Sequence, residues 1–309
     1  MTAFFLWRQE FPPDARQRAN TMLTIKKLTA AGRLIRISRQ YGTLLVLWPT
    51  LWSLVMASGG RPALKHLLIF IIGTFLMRSA GCAINDIADR KFDGHVERTA
   101  SRPLPAGELT VAEALFIFGI LCVLAFALVL FLNRFTIILS VGGIGLAVVY
   151  PFIKRVSHWP QAALGMAFGW GAIMAWSAVN NSLGVVPVLI FIANIFWSMA
   201  YDTIYALMDI DDDRRIGVKS TAILFGENIW SALVVLYSGM AITLGLAGLF
   251  YGAGVIYYAG VIASLVAHLV IVYNVRRGKG RDAAFNGFLA NSWTGALILA
   301  AVIMDINLT

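Results

Sequence analysis

The sequence predicts an all-α, polytopic membrane protein with nine transmembrane helices. Three observations predict it. Hydrophobic residues make up 59% of the 309-residue chain and charged residues only 13%, whereas a soluble domain carries about 25% charged residues. Mean hydropathy is +0.76. Apolar runs close to the roughly 20 residues needed to cross a bilayer as a helix recur from residue 41 to residue 305.

Residues 1–32 read as a polar, flexible extension. Phe4-Phe5-Leu6-Trp7 is too short for the apolar core of a signal peptide and has no basic residues before it. Residues 33–309 then form one membrane domain. Its nine spans are expected at 41–59, 65–85, 112–132, 135–152, 162–179, 185–208, 228–251, 254–274 and 284–305. The third and fourth are separated only by the region of Asn133-Arg134, which calls for a tight helical hairpin. Gly142, Gly143 and Gly145 in the fourth span, and Gly165, Gly169 and Gly171 in the fifth, permit close helix packing.

Orientation follows from the distribution of Lys and Arg. Of 25 such residues, 21 lie before the first span or in the loops after the second, fourth, sixth and eighth. The positive-inside rule places those segments in the cytoplasm and the C-terminus on the opposite side. The net charge of +9 is spread over these loops, with no basic domain to bind nucleic acid. Cys82 and Cys122 lie in apolar segments, and the four histidines show no metal-ligand spacing.

Chemistry concentrates in two acidic stretches. The first runs Asn85-Asp86-Ile87-Ala88-Asp89-Arg90-Lys91-Phe92-Asp93, and the second runs from Tyr201-Asp202 to Asp211-Asp212-Asp213. They hold eight of the sixteen carboxylates. Asn85, Asp89 and Asp93 recur every four residues and would form one helical stripe. Asp202, Tyr205, Asp209 and Asp213 would share another face. Like charges at this spacing destabilise a helix, and a divalent cation removes the penalty. Ligands that are all oxygen favour Mg2+ over Zn2+. A solvated acidic helix end is the plain alternative, and it suits Asp211 and Asp212.

Basic residues surround both stretches. Lys91, Arg98 and Arg102 follow the first; Arg214, Arg215 and Lys219 follow the second; Lys154 and Arg155 end the fourth span; Arg36 precedes the first. Each of them also fits a purely topological role. Together with the acids they suit Mg2+ and a diphosphate held beside a membrane.

These motifs carry a family resemblance. The first is similar to the NDxxDxxxD motif of the UbiA family of intramembrane aromatic prenyltransferases, and the second to its YDxxYAxxDxxxD motif. Met77-Arg78-Ser79-Ala80-Gly81-Cys82, Ser101-Arg102-Pro103-Leu104 and Gly217-Val218-Lys219-Ser220-Thr221 also match. Before the first span, Gln40 stands where the family often has proline, and Arg39 adds a second arginine. The likeness covers about residues 33–305 and is strongest to members acting on 4-hydroxybenzoate.

The resemblance implies a UbiA-type bundle around a central cavity, capped by the loops after the second and sixth spans. It implies that Asn85, Asp89, Asp93, Asp209 and Asp213 bind Mg2+, and that Arg36, Lys91, Lys154 and Lys219 contact diphosphate. Arg98, Arg155 and Tyr205 join the candidate substrate-binding set. Asp89, Asp93, Asp209, Asp213 and Asp202 are the candidate catalytic residues, with Asp202 or released diphosphate taking the ring proton. The implied reaction joins a polyprenyl diphosphate to the carbon ortho to the hydroxyl of 4-hydroxybenzoate, in ubiquinone biosynthesis at a bacterial inner membrane. Another acceptor, such as homogentisate, a naphthoate, haem, a chlorophyll precursor or a glycerol lipid, remains open. An ion-coupled transporter is the rival of a different class.

Overall fold

The computed structural model describes residues 13–308, with side chains from residue 21 onward. Among them every long regular element is an α-helix. The first, α1 (Pro13–Leu34), is polar over most of its length. It crosses the expected boundary at residues 32 and 33, so the extension read as flexible is helical from Pro13. Its first twelve residues, including Phe4-Phe5-Leu6-Trp7, lie outside the described residues. Few residues anchor α1. Ala30 and Leu34 are buried in a cluster with Ile84, Ile87, Leu109 and Ala114. Lys27 pairs with Glu113, and Arg33 with Glu108. Two apolar anchors in a polar segment leave no hydrophobic periodicity to read.

Among the described residues, nine apolar helices follow at the expected places. They are α2 (Tyr41–Ala57), α3 (Leu64–Asp89), α4 (Val111–Val129), α5 (Arg134–Val156), α6 (Pro160–Asn180) and α7 (Val185–Ala206), then α10 (Ile229–Tyr251), α11 (Val255–Gly278) and α12 (Gly280–Leu308). Two short helices, α8 (Ile210–Ile216) and α9 (Thr221–Phe225), separate α7 from α10. By length and composition α2 is the shortest of the apolar set, and the others are long enough to cross a bilayer.

Local chemistry sets the boundaries. Thr110 and Glu113 form a reciprocal capping box at the start of α4. Asn133 makes the expected tight turn into α5 by accepting from Thr136 N at 2.9 Å. The predicted glycine packing is present between α6 and α7, where a Cβ on Gly165 would lie 2.8 Å from the Ile195 Cα. Gly145 takes no part in it and faces nothing within 4 Å.

The bundle centres on α7, which packs against α6, α10 and α12, while α2 lies against α6 and α12. With no water inside a bilayer, buried polar groups need partners within the protein. Trp52 donates to Gly295 O at 2.9 Å and Trp197 to Asn291 Oδ1 at 3.1 Å, tying α2 and α7 to α12. Asp305 near the end of α12 accepts from Gly254 N at 2.7 Å and Tyr257 N at 3.1 Å, capping α11. On the remaining side, α3 packs with α4 and α5 with α6. A cavity of about 760 Å³ fills the space between these pairs and α2 and α7.

The two expected acidic stripes are not continuous helical faces. Helix α3 ends at Asp89, and Asp93 begins a separate short 3-10 turn. Helix α7 ends at Ala206, and Asp209 precedes the new helix α8. The helix breaks turn each chain back across the end of the bundle. Two turns and a helix end, rather than one straight stripe, therefore position the carboxylates.

Candidate active site at the acidic end of the cavity

The C-terminal ends of α3, α5 and α7 meet at one end of the cavity. Asn85, Asp86 and Asp89 come from α3, Lys154 from α5, and Asp202 and Tyr205 from α7. Asp93, Arg98 and Arg102 come from the segment after α3, and Asp209, Asp213 and Lys219 from the segment after α7. Arg36 enters from the turn before α2. Residues separated by more than 100 positions thus share one small volume. Toward the other end the walls become apolar, with Phe70, Phe126, Val129, Leu132, Ile144 and Met174 among them.

Ion pairs organise the polar end. Arg98 Nε donates to both carboxylate oxygens of Asp209, at 3.0 and 3.1 Å, and its Nη2 also bonds Asp209. Its Nη1 donates to Tyr205 Oη at 2.8 Å. Lys154 Nζ lies 2.5 Å from Asp89 Oδ2. Arg102 Nη1 bridges Asp93 Oδ2 at 2.8 Å and Asp86 Oδ1 at 3.1 Å. Arg36 Nη2 donates to both oxygens of Asp86, at 2.8 and 3.0 Å. Asp202 accepts a hydrogen bond from Gln161. Lys219 lines the cavity, but its Nζ donates to Val156 O at 3.3 Å and its backbone N to Lys154 O at 3.2 Å.

Two expected substrate contacts do not reach the cavity. Lys91 is exposed on the turn after α3. Arg155 donates to Ala88 O at the end of α3, with its guanidinium 5.6 Å from the Phe92 ring centre. The carbonyls at a helix C-terminus attract such a cation, which turns Arg155 away from the site.

Arg102, one of the basic residues after the first motif, joins the site, as do Asp86, Arg78 and Gln161, to which the sequence assigns no role. Asp86 lies within the first motif, and its side chain is 0% exposed. Its partners are two arginines, so it organises cations rather than standing open. Arg78 is a charged residue inside the span of α3, an arrangement that marks functional positions in membranes. Its Nη1 donates to Cys82 Sγ at 2.6 Å. Gly42 makes room for it, because a Cβ there would meet Arg78 Nη2 at 2.5 Å.

The donor set fits a hard divalent cation. Asp89 Oδ1 is buried without a hydrogen-bond partner. An orphaned anionic oxygen is costly, and a cation would relieve the cost. Burial, and then the neighbouring Asp209 carboxylate, push the Asp213 carboxyl up to about 7. A nearby cation would reverse that shift. Among the described residues, no three His, Cys, Asp or Glu side chains converge on one point. Arginine and lysine hold the carboxylates in separate pairs instead.

A polytopic helical bundle with an apolar cavity and a carboxylate- and guanidinium-rich end defines a membrane-embedded site for an anionic head on an apolar tail. The family description "UbiA prenyltransferase family" matches residues 46–302. The chain belongs to this family and is an integral membrane protein. It is 52% identical over 273 residues to the 4-hydroxybenzoate octaprenyltransferase of Tolumonas auensis, covering 88% of this chain and 95% of that protein. It is 50% identical over 286 residues to the protein of the same name from Pectobacterium carotovorum subsp. carotovorum, covering 92% and 99%. Among solved structures, the apo UbiA homolog from Aeropyrum pernix K1 superposes with a TM-score of 0.72 at 26% identity, over 86% of this chain and 98% of that one. A UbiA homolog from Archaeoglobus fulgidus bound to GPP and Mg2+ shares the fold, with a TM-score of 0.69 at 20% identity over 90% and 99% of the two chains.

Proposed function

We propose that this chain transfers a polyprenyl group from polyprenyl diphosphate to the ring carbon ortho to the hydroxyl of 4-hydroxybenzoate. The carrying observation is the joining of an anion-binding end to an apolar body in one cavity. The names of the relatives that are about half identical over nearly their whole length support the same substrates.

Asn85, Asp89, Asp93, Asp209 and Asp213 would hold Mg2+. When bound, it supplies charge neutralisation that makes diphosphate a better leaving group. The A. fulgidus homolog crystallised with GPP and Mg2+ supports this choice of ion. Lys154, Arg98 and Arg102 stabilise the charge that builds on the leaving oxygens, exchanging their carboxylate partners for phosphate. Lys219 adds to the same cationic wall. Arg78 has no carboxylate partner among the described residues and takes the carboxylate of the acceptor. The apolar walls shield the allylic carbon from water. As the carbon–oxygen bond to diphosphate breaks, a carbon–carbon bond forms to the ring. The displaced ring proton passes to Asp202 at the cavity wall. These carboxylates stand at helix ends beside arginine and lysine, unlike the midplane sites of ion-coupled transporters.

We place the acidic end in the cytoplasm from the distribution of Lys and Arg, and the chain in a bacterial inner membrane from its bacterial relatives. Cysteines at positions 94 and 60 should then be labelled from opposite sides, Gly94→Cys from the cytoplasm. Reversed labelling, with Gly94→Cys reached only from the opposite side, would overturn the orientation. Purified membranes given polyprenyl diphosphate, Mg2+ and a panel of acceptors test the reaction. The expected product is prenylated 4-hydroxybenzoate, identified by mass. Prenylation of a different acceptor in preference would replace the substrate assignment.

A further inference from the structure

Arg281 begins α12 and does not line the cavity, yet its guanidinium reaches three separate segments. Nη1 donates to Glu97 Oε2 at 2.8 Å, in the segment between α3 and α4. Nε donates to Met208 O at 3.0 Å, in the turn after α7. Nη2 donates to Asp212 Oδ2 at 3.3 Å, in α8. Each acceptor is the immediate chain neighbour of a residue in the candidate site. Glu97 precedes Arg98, Met208 precedes Asp209, and Asp212 precedes Asp213. One guanidinium therefore links both acid-bearing segments to a third element, α12, the second by two contacts and the first by one.

We propose that Arg281 is a positioning residue that pins the second acidic segment to α12, with a weaker tie to the first through Glu97, and so sets the affinity of the site for its diphosphate headgroup. It touches no substrate, and its effect on diphosphate rests on the prenyl-diphosphate reading given above. The three contacts are unequal. Glu97 is 82% exposed, so that arm contributes little. The Met208 carbonyl and Asp212, whose side chain is 15% exposed, carry the clamp. Arginine suits the position because its rigid fork offers donors on three nitrogens at once, whereas a lysine ammonium is a single point. The same geometry gives Asp212 a task. A residue that reads from sequence as a solvated acid instead holds its neighbour Asp213 in place.

Two readouts test the clamp on the full-length protein. In turnover assays, Arg281→Ala should raise KM for prenyl diphosphate about three- to tenfold while changing kcat less than about twofold. Arg281→Lys should recover part of the affinity. Asp212→Asn should give a similar rise, and the double variant should add little to it, because both changes break one contact. Arg277→Ala, near the end of α11, should move neither constant. The second readout needs no reaction. Cys82 lines the cavity, and in a Cys122→Ala background it is the sole thiol of the chain. Its labelling by a charged, water-soluble thiosulfonate should accelerate several-fold in Arg281→Ala and stay unchanged in Arg277→Ala. An unchanged Cys82 labelling rate, or additive effects of Arg281→Ala and Asp212→Asn, would overturn the clamp. Accelerated labelling in a chain that transfers no prenyl group would keep the clamp and remove the substrate reading. Should Arg281→Ala fail to fold, Arg281→Lys and Asp212→Asn carry the same comparison.

Discussion

Arg98 joins the two acidic segments across 111 positions of sequence, with its Nε 3.0 and 3.1 Å from the two carboxylate oxygens of Asp209. The same guanidinium donates to Tyr205 and lies over its ring at 5.1 Å. The site thus comes with Asp86, Asp89, Asp93 and Asp209 already paired with the protein's own cations. Under the proposed reading, Mg2+ and diphosphate would replace one set of ion pairs by another and would leave no bare charges in an apolar setting.

Arg98→Ala should therefore raise KM for prenyl diphosphate and lower turnover, together costing at least about tenfold in kcat/KM. Arg98→Lys should retain only part of the activity, because an ammonium cannot grip Asp209 and Tyr205 together. Steady-state kinetics with saturating acceptor make the comparison. Equal activity in wild type and Arg98→Ala would remove Arg98 from the site.

Chelation tests the metal. EDTA should abolish prenyl transfer by the membranes, and added Mg2+ should restore it. Full transfer in the chelator would mean that arginine and lysine alone manage the diphosphate.

The carboxylates of the first motif should divide into two kinds. Asp89→Asn should keep the thermal stability near that of wild type and lower turnover about 100-fold, the scale of losing a preorganised charge at the reacting group. Asp86→Asn should instead reduce stability by about 3–5 kcal/mol, since it leaves Arg36 without its buried carboxylate partner and Arg102 with Asp93 alone. Melting curves in detergent alongside turnover separate them. The same profile for both variants would contradict the division.

Lys154 reaches Asp89 from α5, the one cation of that helix held in the cavity. Lys154→Ala should lower turnover at least about tenfold, and Lys154→Arg should keep some of it. Arg277 serves as the comparison, because its guanidinium meets only Tyr273 Oη at 3.4 Å on its own helix among the described residues. If Lys154→Ala and Arg277→Ala behave alike at limiting and saturating donor, Lys154 acts only in topology.

Asp305 is a stability prediction far from the chemistry. Replacing it by alanine removes the acceptor for two backbone N–H groups at the start of α11. The cost should be about 1–3 kcal/mol, visible as a lower melting temperature with KM unchanged. A change in KM without a change in melting would be the contrary result.

Much of this protein was legible in its sequence, because a bilayer imposes strict conditions on a chain. Spans must be about 20 apolar residues long, and intramembrane charge must have a reason. Those conditions locate the nine apolar helices and the two acidic stretches that hold Asp89, Asp93, Asp209 and Asp213. The helix α1 has no apolar periodicity to read, because among the described residues only Ala30 and Leu34 of this polar segment are buried. Tertiary structure decided which charged residues meet. Lys91 and Arg155 look equivalent to Arg98 and Lys154 in a list of basic residues, and only the folded chain turns Arg155 toward the carbonyl of Ala88 and Arg98 toward Asp209. The breaks after Asp89 and Ala206 were likewise invisible to a period-of-four count, since spacing along a helix says nothing about where the helix ends. Side-chain pairing depends on distance in space, and residues 98, 209 and 281 become neighbours only when α3, α7 and α12 are packed together.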